Sequence, residues 1–270
     1  MPELAEVEYY RKQWSPGIGL MVRSVHLNEK KRIFRGEDTE ALQSSLVGQT
    51  LERSETHGKQ MLFVLGERHW LGIHLGMTGE TSVQPVDYKR QKHDHLVLEM
   101  ESGLRLVYSD PRMFGRIRYA TGLEAPDWWA ILPPQILSES FTIEYMQAFL
   151  KRRAKAPIKA VLLMQEAFPG VGNWMADEIL WRCRIYPAVP AGCIGSSKRI
   201  ELFDTLKEVC REAIRVIGTD WNRPPDNWLF NHRWKDGGTC PATGKPLCRE
   251  PIGGRTTCWS PSWQTYRGKS

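Results

Sequence analysis

The sequence predicts an α+β protein in which a strand-rich half precedes a helical half. Three observations carry this. Short apolar or alternating runs recur from about residue 20 to 120, helical spacing takes over after residue 140, and the tail from Trp228 is rich in Gly, Pro, Thr and Cys. Leu4, Val7, Tyr10 and Trp14 lie at helical spacing, so residues 1–15 read as a helix. Met61–Leu65, Trp70–Leu75, His95–Leu98 and Leu104–Tyr108 read as strands punctuated by Gly, Ser, Asp and Pro, a pattern that suits a sandwich or barrel. Pro126 and the pair Pro133–Pro134 interrupt the chain and mark a linker. Tyr145–Arg153, Ile158–Phe168, Ala176–Cys183 and Lys198–Ile217 read as helices, and the tail as a small hairpin module. The expected divisions are 1–125, a linker over 126–139, 140–227, and 228–270.

The chain has 270 residues, 41% hydrophobic and 25% charged, which suits one large or two medium domains. No apolar run reaches the length of a membrane span, and the N-terminus lacks the apolar core of a signal peptide. The expected setting is cytoplasmic, at the nucleoid if the source is bacterial. Nothing in the sequence signals an obligate oligomer, so a monomer is expected. Net charge is +6 and the isoelectric point about 9.0, a balance that suits a polyanionic partner such as nucleic acid. The six cysteines (183, 193, 210, 240, 248 and 258) all fall in the last third, where a reducing setting favours thiols or metal ligands over disulfides.

The chain opens Met1-Pro2-Glu3-Leu4-Ala5-Glu6. Loss of Met1 would make Pro2 a free secondary amine, a nucleophile able to form a Schiff base with a sugar carbon, with Glu3 and Glu6 as candidate acid or base groups. The same residues also suit a plain helix start, with proline in the first turn and glutamates against the helix dipole. The opening by itself is compatible with both. Further along, Pro169-Gly170-Val171-Gly172-Asn173 joins two helices, and free amides at a helix start favour a phosphate. Asn173 could cap that helix or hold the phosphate, and Lys159 supplies a cation just ahead of the turn. Ser109-Asp110-Pro111-Arg112-Met113-Phe114-Gly115 puts a guanidinium and an aromatic ring in one turn, where Arg112 can read a base edge and Phe114 can wedge between bases, or else face the core. Gly58-Lys59 places a cation at a strand mouth, and Leu75-Gly76-Met77-Thr78-Gly79 could present Met77 or bury it.

Taken together, these motifs resemble the formamidopyrimidine-DNA glycosylases, in the superfamily shared with endonuclease VIII. That family begins Met-Pro-Glu-Leu-Pro-Glu-Val-Glu, and this chain departs only at Ala5. The likeness runs nearly end to end, through Gly58-Lys59, Leu75–Gly79, Lys92-His93-Asp94-His95, Asp110–Gly115, the Gly170–Asn173 turn, Gly253-Gly254-Arg255-Thr256-Thr257 and Gln264. It implies a two-layered β-sandwich preceded by a helix, then a helical domain with a helix-two-turns-helix, then a β-hairpin finger. It further implies a bifunctional glycosylase and apurinic/apyrimidinic lyase acting on damaged double-stranded DNA. Pro2 would attack C1′, Glu3 would serve as acid and base, and Glu6 would support the pocket. Lys59 would bind phosphate and stabilise the developing charge, and with Arg255 it would join Pro2 and Glu3 as a catalytic residue. Met77, Arg112 and Phe114 would fill the void left by the flipped nucleotide. Asn173 and Arg255 would clamp phosphates with help from Lys159, and His74 and His93 would join the DNA-binding set.

Two departures qualify the resemblance. The family's finger carries Cys-x2-Cys twice, a strong zinc signal. Here Cys240 stands at the first ligand position, followed by Thr243, Ser260 and Trp263 at the others. No metal and no cofactor is therefore expected, and the finger should be held by packing of Trp228, Trp234, Trp259 and Trp263. An unfamiliar site made from His232, Cys240, Cys248 and Cys258 is the alternative. Purine-specific members also carry a long loop before the finger, whereas only Gly218–Asn227 stands here. Excision of 8-oxoguanine and formamidopyrimidines is expected, with oxidised pyrimidines, or a damage sensor without chemistry, as alternatives.

Overall fold

The computed structural model describes residues 1–28 and 32–268. The chain forms two compact units, one of Met1–Pro2 with Glu6–Leu132 and the other of Glu3–Ala5 with the chain from Pro133 onward. The division passes through the first helix, α1 (Leu4–Gln13).

The first unit is an antiparallel sandwich. Its strands are β1 (Val22–Leu27), β2 (Leu51–His57), β3 (Gln60–Leu65), β4 (His69–His74), β5 (Glu80–Gln84), β6 (Asp94–Met100), β7 (Arg105–Ser109) and β8 (Arg116–Thr121). They form two four-stranded sheets, ordered β1-β6-β7-β5 and β2-β3-β4-β8. Side chains from both sheets share one core that includes Val25, Phe63, Ile73, Leu98 and Tyr108. Trp14 fills it from beyond α1, tilted against Phe63 at 4.6 Å and donating to the Val107 carbonyl at 3.2 Å. Strand β3 reads as an unbroken apolar run because both its faces are covered. Met61, Phe63 and Leu65 enter this core, while Leu62 and Val64 join Trp70 under Trp128 and Trp129.

The strand-like reading of 20–120 missed a helix, α2 (Thr39–Leu46). Its start is set by Asp38, whose side chain accepts from the Ala41 amide at 2.9 Å. The expected linker also holds a short helix, α3 (Asp127–Ala130), whose Trp128 lies so close to Gly72 that a Cβ there would sit 2.6 Å from the indole.

The second unit packs α4 (Ile143–Arg152), α5 (Ile158–Leu162), α6 (Asn173–Arg182) and α7 (Ser196–Asp220) around one core that takes in Leu4 and Ala5. Helix α5 stops at Leu162 rather than Phe168. Pro169 disfavours helical backbone before it, and Gln165 closes a turn by accepting from the Gly170 amide and donating to the Val171 carbonyl. Helix α7 outruns the expected Lys198–Ile217 and ends where Trp221 turns left-handed, at φ 55°. The finger is a hairpin of β9 (Cys248–Ile252) and β10 (Arg255–Trp259). Gly253 and Gly254, at φ 62° and 78°, form the two-residue turn that positive φ at both central positions permits.

Candidate active site

Pro2 lies ahead of α1 and is partly exposed, whereas Glu3 is only 4% exposed and Glu6 stands in the first turn. The Glu3 carboxylate sits on the start of α6, its Oε1 accepting from the Trp174 amide at 2.9 Å and its Oε2 from the Met175 amide at 3.1 Å. First-turn amides have no partner within a helix, and the dipole adds positive potential there, so an ionised carboxylate is well seated. The glycine turn makes room for it. A Cβ on Gly172 would fall 2.1 Å from the Glu3 Cδ, and one on Gly170 would fall 2.6 Å from Leu4 Cβ. Leu4 donates to the Gly170 carbonyl at 3.0 Å. The turn read in the sequence as a phosphate cradle thus receives residues 3 and 4 of the chain itself.

Two other expectations need correction. Lys159 is wholly buried, with its ammonium paired to Asp177 and donating to the Asn173 carbonyl at 2.6 Å. A cation held there is not presented to a phosphate. Burial pulls its pKa down while the Asp177 carboxylate opposes that. Asn173 does not cap α6, a place taken by Gly172. Its amide instead donates to the Thr256 carbonyl of β10 at 2.9 Å. One residue further back along β10, Arg255 stands exposed beside the glycine turn.

In the first unit, Lys59 occupies the two-residue turn between β2 and β3, with Gly58 at φ 59°. His74 closes β4, in register with Gln60 and Arg116. Burial, together with Lys59, Arg35 and Arg118, pulls the His74 pKa down to about 4. Its Nδ1 accepts from the Gly76 amide at 3.1 Å, so the neutral ring carries its proton on Nε2. The neighbouring loops are locked together by Asp110. One carboxylate oxygen accepts from Thr78 Oγ1 at 2.8 Å and from the Arg112 amide, and the other accepts from the Gly115 amide at 2.8 Å. Met77 and Phe114 are 41% and 47% exposed, so neither is a core residue, and the Arg112 guanidinium lies 4.9 Å from the Phe114 ring. His93 is half-buried, and its carbonyl accepts from the Asp110 amide and Ser109 Oγ. The sequence places Asp110 in a turn, as Asp before Pro signals, but shows no role for its side chain, and it gives no sign of Arg35 and Arg118, which come from separate elements.

A family model described as the formamidopyrimidine-DNA glycosylase N-terminal domain matches residues 1–117, and one for the H2TH domain matches 132–223. The formamidopyrimidine-DNA glycosylase of Xanthomonas axonopodis is 32% identical over 274 residues, covering 98% of this chain and 100% of that one. The Thermus thermophilus protein of the same name is 34% identical over 280 residues, covering 98% of each. The chain belongs to the formamidopyrimidine-DNA glycosylase family. It is a DNA glycosylase with AP lyase activity, acting in base excision repair. Among solved structures, MutM in complex with carbocyclic 8-oxo-G containing DNA superposes at TM-score 0.86. Lactococcus lactis Fpg (MutM) with an oxidised pyrimidine containing DNA superposes at 0.87. Each is 26% identical and covers 98% of this chain and 100% of its own.

The finger's donor set does not fit the structural zinc of this glycosylase family. Cys240 is buried and accepts from the Trp181 indole at 3.4 Å. Burial pushes its thiol pKa up, but hydrogen bonds from Ser260, Thr243, Trp181 and the Ala242 amide outweigh that and leave it below the ordinary value. Thr243 and Ser260 are both hydrogen-bonded to Ser262, and Trp263 donates to the Trp181 carbonyl. Among the described residues no three His, Cys, Asp or Glu side chains come together as a metal cluster, so His232, Cys240, Cys248 and Cys258 do not assemble. Of the four tryptophans expected to hold the finger, Trp228, Trp259 and Trp263 pack on Trp174, Tyr186 and Trp181. Trp234 is more than half exposed, edged onto Phe230 with the Arg233 guanidinium 4.8 Å from its ring. Among the described residues no helix is long and apolar enough to cross a membrane.

Proposed function

We propose that this glycosylase flips an oxidised base out of damaged duplex DNA and excises it through Pro2, with 8-oxoguanine and formamidopyrimidines as preferred lesions. Flipping costs a few kcal/mol, and Met77, Arg112 and Phe114 would offset it by filling the void, with Arg112 opposite the orphaned base. The unprotonated Pro2 nitrogen attacks C1′, the C1′–N bond to the base breaks, and Glu3 moves a proton as the sugar ring opens. The resulting iminium draws electrons from C2′. Loss of a C2′ proton breaks the C3′–O bond, and a second elimination breaks C5′–O, leaving phosphates on both ends.

The observation that carries this reading is the seat of Glu3. A buried carboxylate fixed by two helix amides stands next in the chain to a proline that lies outside the helix. A helix start needs no such arrangement. Lys59, neutral His74 and Arg255 would grip phosphates, and Glu6 would support the pocket. We further propose that the finger folds without zinc. A second reading, oxidised-pyrimidine excision, draws on the short connection between the end of α7 at Asp220 and the turn at Leu229–Asn231.

Borohydride trapping tests the proposal, using duplexes that carry 8-oxoguanine opposite cytosine, an oxidised pyrimidine, or an abasic site. A covalent adduct that disappears in Pro2→Gly, with binding retained, is expected, and its lesion dependence ranks the two substrates. No adduct on any duplex, from protein that lacks Met1 and binds DNA, would make the chain a sensor that kept the fold without the chemistry.

A further inference from the structure

Asp177 is buried at the middle of α6 and is the meeting point of three separate segments. One carboxylate oxygen pairs with Lys159 of α5. The other accepts from Arg233 Nη2 at 2.5 Å and Nε at 3.1 Å, and from the Cys258 amide of β10 at 3.0 Å. All three side chains are buried. Two cations against one carboxylate would leave a buried positive charge, but Glu3 also acts on Lys159, so the group balances as two against two.

The finger touches this assembly at successive points along its turn and the strand that follows. A Cβ on Gly253 would fall 2.5 Å from Ala160, Thr256 accepts from Asn173, and Cys258 donates to Asp177. These ties fix the strand that begins with Arg255 against α5 and α6. We infer that Asp177 is a positioning residue: it replaces the missing metal as the anchor of the finger, and sets Arg255 in register with Asn173 for the phosphate backbone. The Arg255 part of this rests on the reading proposed above.

Hydrogen exchange on the free full-length protein is the direct test. Asp177→Asn keeps the shape and the acceptor for the Cys258 amide while removing the charge. The β9 and β10 amides should then exchange about tenfold faster or more relative to those of α7. If this variant folds poorly, Arg233→Lys, which keeps the charge and loses the fork, is read in the same way. Hairpin exchange that stays in step with α7 in a folded variant overturns the inference. Binding to a duplex with a tetrahydrofuran abasic analogue then tests the coupling. Asp177→Asn and Arg255→Ala should each weaken affinity and flatten the salt dependence by about one phosphate contact. The double variant should be no weaker than the worse single one, and additive losses would overturn the coupling. If Arg255→Ala leaves affinity unchanged, the phosphate reading of Arg255 fails, while hairpin exchange still decides the role of Asp177.

Discussion

Replacing Gly172 by alanine isolates the seat of Glu3. The backbone there is extended, at φ −124°, so alanine brings no conformational strain and acts through its methyl group alone. That methyl would stand 2.1 Å from Cδ and 2.4 Å from both Cγ and Oε1 of Glu3. Carbon atoms in contact keep ~3.5–4.0 Å apart, so the carboxylate must withdraw by more than about 1 Å. Hydrogen bonds now 2.9 and 3.1 Å long would then pass the useful limit. Two charge-assisted bonds are worth ~1.5–3 kcal/mol each, and the freed carboxylate regains water, so a net loss of about 2–3 kcal/mol in stability is expected. A displaced acid and base should also slow elimination by ~100-fold or more. Single-turnover cleavage of an abasic duplex and a thermal melt read both effects. Gly48→Ala, between α2 and β2, is the control. It has open space and φ 78°, so it should cost about 1–2 kcal/mol of backbone strain and leave elimination alone. Wild-type elimination by Gly172→Ala would refute the assignment of Glu3.

Three further outcomes follow from the same geometry. The folded His74 has its pKa pulled down to about 4, below the ordinary ~6.5, so the unfolded chain binds the extra proton first. Its contribution to stability is present above about pH 6.5 and is lost as pH falls towards 4, by at most ~3 kcal/mol, and His74→Gln should flatten that part of a pH series of melts. Asp110→Ala removes the acceptor of the Thr78, Arg112 and Gly115 donors, and should cost ~1–3 kcal/mol and blunt discrimination of the base opposite the lesion. Excision opposite cytosine and adenine measures that, and unchanged discrimination would dissociate the loops from base reading. Metal analysis should find no stoichiometric zinc, and a chelator should leave the melting temperature unmoved. Either zinc or a chelator-induced drop would contradict the reading of the finger.

The sequence shows much of the fold because period and burial agree locally. β3 and β4 are apolar runs covered on both faces, and α7 carries a helical apolar pattern from Leu202 to Ile217. Helix α2 escaped because its apolar stripe is only Leu42 and Leu46, and its clearest signal is the cap at Asp38. For the site, exposure was the unknown. Met77 and Phe114 could have faced the core, and what holds them out is Asp110, which joins two loops some thirty residues apart in the chain. Lys159 misled for the opposite reason. A lysine before a glycine turn looks like a phosphate ligand until Asp177 and Arg233 are known to lie beside it, and Arg233 is remote in sequence.

Helix α6 offers the finger an anchor that uses no metal. Its first turn holds Glu3, its middle holds β10 through Asp177, and its last turn presents Trp181 to Cys240 and Trp263. A helix of 10 residues is about 15 Å long and rigid, so the Glu3 carboxylate and the finger share one frame. In a zinc finger the metal gathers its own ligands and the hairpin folds around it. Here Lys159 and Asp177 belong to α5 and α6, and the finger segment contributes Arg233, backbone groups, hydroxyls, packed tryptophan rings and the Cys240 thiol. A finger without the four thiolates would lack a local cross-link but would keep the surface of α5 and α6 against which the strand of Arg255 packs. On the proposed reading of Arg255, the accuracy of the DNA clamp is a property of α6.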